Sequence, residues 1–165
     1  MTKESKSSRF TKSEAAPAVA LGPPLIGALL RLPWEAVQEH MIDRVHAEGF
    51  GDFDASYLVV FGYPGPQGQR PSELATRLRM SKQALNHLLG QLEHRGYLTR
   101  EGDPDDRRSK RITLTPRGVE AATVIRASVA EMEEKWTLRL GRERFEQLRA
   151  LLQELNQPSP GDGSD

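Results

Sequence analysis

Three observations predict a mainly α-helical chain with one small β-hairpin. Apolar residues recur at spacings of three and four along most of the stretch from Pro24 to Leu155. The period drops to two only between Tyr97 and Thr115, and capping residues stand at the joins. Ile26, Leu29, Leu30, Trp34, Val37, Met41, Ile42 and Val45 form the stripe of a first long helix, ended by Gly49. Asp54 is placed to cap a shorter helix through Tyr57, Leu58, Val60 and Phe61, which the segment from Pro64 to Gly68 stops. Pro71, Ser72 and Glu73 open a two-turn helix with Leu74, Ala75 and Leu78 on one side. A tight turn at Met80 then leads to Ser81, the N-cap of the next helix, which ends with Gly96 in the C′ position. Two strands follow, from Tyr97 to Glu101 and from Lys110 to Thr115, separated by the charged segment from Gly102 to Ser109. Thr115 and Pro116 supply an N-cap and an N1 proline for a long helix on which Val119, Ala122, Ile125, Val129, Met132 and Trp136 keep helical spacing. Gly141 breaks it, and Phe145, Leu148, Leu151, Leu152 and Leu155 mark a last amphipathic helix.

Helix, turn, helix and charged hairpin in that order predict a winged helix-turn-helix unit, here at 54–115, with long dimerisation helices at 24–50 and 116–155. Residues 1–20 carry Lys3, Lys6, Arg9 and Lys12 among Ser, Thr and Ala with no apolar period, and are expected to be a disordered basic arm. Residues 156–165 are expected to be a disordered tail, leaving one domain at 24–155.

Composition narrows the function. With 165 residues, 23 basic and 23 acidic side chains and no cysteine, the chain can hold no disulfide framework, thiolate metal site, iron–sulfur cluster or thiol switch. No apolar run approaches the roughly 18 to 20 residues that a bilayer span needs, and the N-terminus lacks the apolar core of a secretory signal. No membrane partner is expected, and a cytoplasmic location is. Charge is unevenly spread: between Arg70 and Arg111 there are ten basic and six acidic residues, a net +4, so the remainder carries −4. Positive charge concentrated on the predicted winged helix-turn-helix unit of a neutral chain is the footprint of phosphate contacts.

A helical wheel with Leu85, Leu88, Leu89 and Leu92 turned inward puts Gln83, His87 and His94 near the centre of the opposite face and Asn86 on its flank. Gln and Asn can pair bidentately with adenine, and Ser81 or Lys82 at the helix N-terminus can take a phosphate. A solvated polar face would show the same pattern, so this helix alone leaves both readings open. The expected partner is double-stranded DNA.

The run "RPSELATRLRMSKQALNHLLGQLEHRGYLTREGDPDDRRSKRITLTPRG" from Arg70 to Gly118 resembles the winged-helix core of the MarR family of transcriptional regulators. The resemblance rests on the PSELA helix opening, the Gly-Tyr exit into the wing, Asp106-Arg107-Arg108 at the wing tip and the ITLTPRG junction. With the flanking helices it extends over 24–155. It implies that Arg108, with Arg107 beside it, enters the minor groove, that Lys110 joins them on DNA, and that Asp106 orients the wing. It implies a homodimer on a pseudo-palindromic operator, more often a repressor than an activator, relieved in many members by a small aromatic ligand. Peroxide sensing through a first-helix cysteine is excluded here, and the basic arm is longer than the family's usual start.

The apolar stripe after Pro116 is longer than the hairpin can cover, which calls for a second copy of the chain. Trp34, Val129, Met132, Trp136, Phe145, Leu148 and Leu152 are the candidate interface residues, though intrachain core would use the same residue types. Trp34, His40, Arg44, Tyr57 and Arg126 are, by location only, candidates for an effector crevice. His40 and His46 are six residues apart and diverge by about 120° on the helix, so no metal site is expected. No nucleophile elbow, phosphate-binding glycine loop or carboxylate pair stands out; neither an enzyme nor a cofactor is expected. The rival reading is a winged helix used as a protein-interaction module without operator specificity.

Overall fold

The computed structural model describes residues 22–62, 65–103 and 106–157, and the side chains of all of these except 103 and 106–108. The predicted basic arm and all but the first two residues of the predicted tail lie outside the described residues.

Helix α1 (Ile26–Ala47) buries Val37, Met41 and Val45 and ends at Gly49, whose φ of +94° lets Phe50 N–H bond back to the Val45 carbonyl. Asp54 caps as expected: its carboxylate accepts from Ser56 N–H at 2.8 Å. It opens a single 3-10 turn (Ala55–Tyr57) that runs into α2 (Leu58–Phe61). Helix α3 (Pro71–Arg77) begins on its proline, and the Glu73 carboxylate accepts from Arg70 N–H at 3.1 Å. The turn after α3 pivots on Arg79, at φ +52°, rather than on Met80. Met80 N–H reaches back to the Ala75 carbonyl, which only a left-handed residue before it allows.

Helix α4 (Lys82–His94) is capped by Ser81, whose hydroxyl accepts from Ala84 N–H, and it buries Leu85, Leu88, Leu89 and Leu92. Gly96, at φ +73°, closes it: Gly96 and Tyr97 N–H groups bond the Glu93 and Leu92 carbonyls. Strands β1 (Leu98–Asp103) and β2 (Asp106–Leu114) pair antiparallel from Leu98 opposite Leu114 to Asp103 opposite Asp106. The hairpin is therefore longer than predicted, and Arg107 and Arg108 belong to a strand instead of a loop. No residue from 101 to 110 is a large apolar one, so no alternation was there to reveal the extension. The other edge of β2 is covered by the segment before α3. Gly68 N–H bonds the Ile112 carbonyl, Ile112 N–H bonds that of Gln69, and the Gln67 side chain accepts from Leu114 N–H at 2.7 Å.

Helix α5 (Pro116–Leu140) starts on Thr115, whose hydroxyl accepts from Gly118 N–H, and Gly141 at φ +83° separates it from α6 (Arg142–Leu155). Its buried line is Gly118, Ala121, Ile125 and Ser128; Val119, placed on the stripe by spacing, is exposed. Helices α1 and α5 pack together and share a charged crossing, with His40 and Arg44 both reaching the Glu131 carboxylate at 2.8 and 3.4 Å. Among the described residues no helix is long and apolar enough to cross a membrane.

The core beneath the reading unit is aromatic. Around the Tyr97 ring lie those of Phe53 at 5.3 Å, Phe50 at 6.3 Å, Phe61 at 6.4 Å and Tyr57 at 6.5 Å. The Tyr97 hydroxyl donates to Asp52 at 2.7 Å, and Arg117 donates to the same oxygen at 2.6 Å and to the Arg95 carbonyl at 2.8 Å. One polar knot thus joins the loop after α1, the end of α4 and the start of α5. Burial, then the hydrogen bond and charge of Asp52, push the Tyr97 hydroxyl up to about 12. Burial pulls the Asp52 carboxyl upward, but the Tyr97 hydrogen bond and the Arg117 charge outweigh it and hold the group below its ordinary value.

Candidate nucleic-acid interface

The outer face of α4 is built by its inner one. Four leucines pin the helix to the core, so Lys82, Gln83, Asn86, His87 and His94 are all left exposed, as is Ser81 at the cap. The Ser81 hydroxyl is committed to the helix, which leaves Lys82 and the first N–H groups as the anion-facing end. Sequence reasoning passed over Gln91. Its amide nitrogen lies 3.0 Å from His87 Nε2 on the same exposed face, and the spacing of four residues was the available signal.

The wing is held to this helix at its base. Arg100 on β1 donates to the Glu93 carboxylate near the C-terminus of α4 through both Nε, at 3.0 Å, and a terminal nitrogen. That hydrogen bond, helped by the Arg100 charge, outweighs burial and keeps the Glu93 carboxyl below its usual range. Lys110 is exposed on β2. Asp106, Arg107 and Arg108 lie on β2 beside the ladder's end, and their side chains are outside the described residues.

Between α1 and α4 runs an open cleft of about 780 Å³, walled by Trp34 and Gln38 on one side and by Met80, Ala84, His87 and Gln91 on the other. Of the five crevice residues expected from sequence, only Trp34 lines it. Tyr57 is fully buried in the aromatic core, His40 and Arg44 are engaged by Glu131, and Arg126 is exposed on α5. Those residues were grouped by their helices alone, and helix facing separates them. Among the described residues the lining contains no Lys, Arg, Asp or Glu, and His87 is its single titratable side chain.

The expected interface residues also divide. Trp34 is 53% exposed and Leu148 39%, whereas Val129, Met132 and Trp136 are partly buried against the chain's own core. Leu152 is half-buried. Phe145 is buried within the single chain, with Arg149 stacked 5.2 Å over its ring, and so is core in its own right. Other exposed large apolar residues include Leu25, Ile26, Leu29, Leu30 and Leu32 around the start of α1, Val119 and Leu138 on α5, and Leu151 and Leu155 on α6.

A leucine-anchored helix with a polar outer face, a hairpin tied to its end and long helices on either side define a winged helix-turn-helix protein. Residues 61–109 match the model of the MarR family. The chain is 31% identical over 87 residues to the uncharacterised HTH-type transcriptional regulator YkoM of Bacillus subtilis (strain 168); the match spans 53% of this chain and 55% of that protein, about half its length. Among solved structures it is similar to the transcriptional repressor CouR bound to a 23-mer DNA duplex, with TM-score 0.62 and 27% identity over 81% of this chain and 93% of that one. A MarR transcriptional regulator from Methanosarcina mazei Go1 shares the fold at TM-score 0.64 and 19% identity, over 79% of this chain and 92% of its own. Over residues 61–109 the chain carries the pattern of the MarR family. The proteins it resembles are transcription regulators, not enzymes.

Proposed function

We propose that this chain is a sequence-specific DNA-binding transcription regulator that acts in the cytoplasm as a homodimer on a near-palindromic operator, as a repressor. The observation that carries this reading is the outer face of α4, where Lys82, Gln83, Asn86 and His87 stand exposed above four buried leucines. Such a face suits the major groove, with Gln83 and Asn86 able to pair with adenine and Lys82 with phosphate. Arg108 and Arg107 on the wing would enter the minor groove, Lys110 would add a phosphate contact, and Asp106 would orient the strand that carries them. The similarity to a repressor in complex with DNA supports the assignment.

Dimerisation is supported by the exposed leucines at the start of α1 and on α6, which the described residues leave uncovered. A two-fold axis through these helices would set two copies of α4 about one helical turn of DNA apart, ~34 to 36 Å. The cleft between α1 and α4 supports relief by a small, flat, uncharged aromatic ligand, since its lining offers apolar walls and no fixed cation for an anion. Filling it would press on the reading helix directly. The test is selection of bound fragments from the source genome. Recovery of a shared inverted repeat is the expected result; recovery of fragments with no common sequence would favour a protein-interaction module.

A further inference from the structure

The hydrogen bond between His87 and Gln91 has a direction that the atoms themselves dictate. Both partners are nitrogens, Gln91 Nε2 and His87 Nε2, 3.0 Å apart. An amide nitrogen can donate but has no lone pair to accept with, so the imidazole Nε2 must accept. In a neutral ring the proton then sits on Nδ1, and His87 offers its neighbourhood a donor. Gln91 in turn keeps its amide oxygen, an acceptor, for a partner outside the helix. Both side chains are exposed on the face of α4 opposite Leu85 and Leu92. Around them α1 offers Trp34 and Gln38, the turn before α4 offers Met80, and the 3-10 turn and α2 offer Ser56 and small or apolar groups. Among the described residues no charged side chain lines the cleft to set the tautomer instead.

We propose that Gln91 is a specificity-determining residue that fixes the polarity of His87, so that the two read the operator as one unit, a donor from His87 beside an acceptor from Gln91. The inference rests on the DNA-reading assignment above. In the major groove a donor selects the acceptor edges of guanine or the O4 of thymine, and an acceptor selects the amino group of adenine or cytosine. A histidine free to take either tautomer would accept both kinds of edge. Gln91 therefore acts on base choice partly through another residue and partly through its own oxygen.

Two measurements test this. Nitrogen chemical shifts of the His87 ring in the free protein, at a pH where it is neutral, report the tautomer without DNA. The wild type should show the proton on Nδ1, Q91A should shift it towards Nε2, and Q91K, which can only donate, should keep it on Nδ1. A base-substitution scan on a selected operator should then show discrimination at one or two adjacent positions falling about five- to tenfold in Q91A, and retained at the His87 position in Q91K, with other positions unchanged. A proton on Nε2 in the wild type, or an unaltered base profile in Q91A, overturns the proposal and leaves the DNA-reading assignment standing. If the wild type selects no site at all, that assignment and this inference both fall.

Discussion

Gly118 shows how one atom decides a joint. A Cβ placed there would lie 1.9 Å from the carbonyl oxygen of Tyr97 and 2.9 Å from its carbon, both backbone atoms that cannot swing aside. Alanine in place of glycine inside a helix ordinarily stabilises by about 1 kcal/mol. Here the clash reverses the sign, and Gly118→Ala is expected to cost about 2 kcal/mol or more, measured by urea denaturation. Thr115 and Pro116 were legible as a helix start from local rules alone. The need for glycine two residues on was not, because it arises from a carbonyl twenty-one positions earlier in the chain. The same is true of Tyr97, which reads as a strand residue and proves to be the hub of the aromatic core. Its hydroxyl titrates higher in the folded chain, about 12, than its ordinary value of 10. The stability it contributes is therefore complete below pH 10 and lost as pH rises through 12. Asp52, held low, contributes above the ordinary carboxylate range and loses that contribution as pH falls through it. Denaturation midpoints across pH 3 to 11 should fall at both ends, and Tyr97→Phe should flatten the alkaline limb. An alkaline limb identical in that variant would count against the knot.

Among the elements, the pairing of wing and reading helix is where geometry adds most. Glu93 and Arg100 join the end of α4 to β1, so the angle of the hairpin follows that of the helix. Arg100→Ala should weaken operator binding by about five- to tenfold while leaving the preferred bases the same, as titrations on the selected site and its single-base variants would show. A changed base profile would mean that Arg100 itself touches bases. The six α-helices of the described residues could be drawn from spacing and caps because their signals are local: Ser81, Gly96, Thr115 and Gly141 each stand at an end. The hairpin was drawn too short because charged residues fill both strands near its tip. The cleft was misjudged for a different reason: shared helices do not make shared faces, and Tyr57, His40 and Arg126 turn away from Trp34. A rotation of 100° per residue is predictable; which side of a helix meets which neighbour is a tertiary fact.

At the scale of the whole molecule, one chain leaves apolar surface that a soluble protein would be expected to cover. Leu151 is 59% exposed on α6, and Leu25, Ile26 and Leu30 are exposed at the start of α1. Because Leu151 takes no part in the chain's own core, Leu151→Glu should leave helicity intact. It should shift sedimentation from dimer to monomer, with loss of operator binding. A helical, dimeric, DNA-binding Leu151→Glu variant would place the interface elsewhere. The charge pattern belongs to this scale as well: the surplus of four positive charges between Arg70 and Arg111 is set against an equal deficit spread over the rest of the chain. That arrangement was legible from the sequence, and under the proposed function it would draw the winged unit towards a polyanion without making the protein basic.

The central claim, a paired chain reading a particular DNA sequence, is tested most directly by titrating the selected inverted repeat and a shuffled duplex of equal length at several salt concentrations. The account predicts two chains per repeat, affinity for the repeat at least ~10³-fold above the shuffled duplex, and a steep loss of binding to both as salt rises. Equal affinity for the two duplexes, or saturation with a single chain, would contradict it.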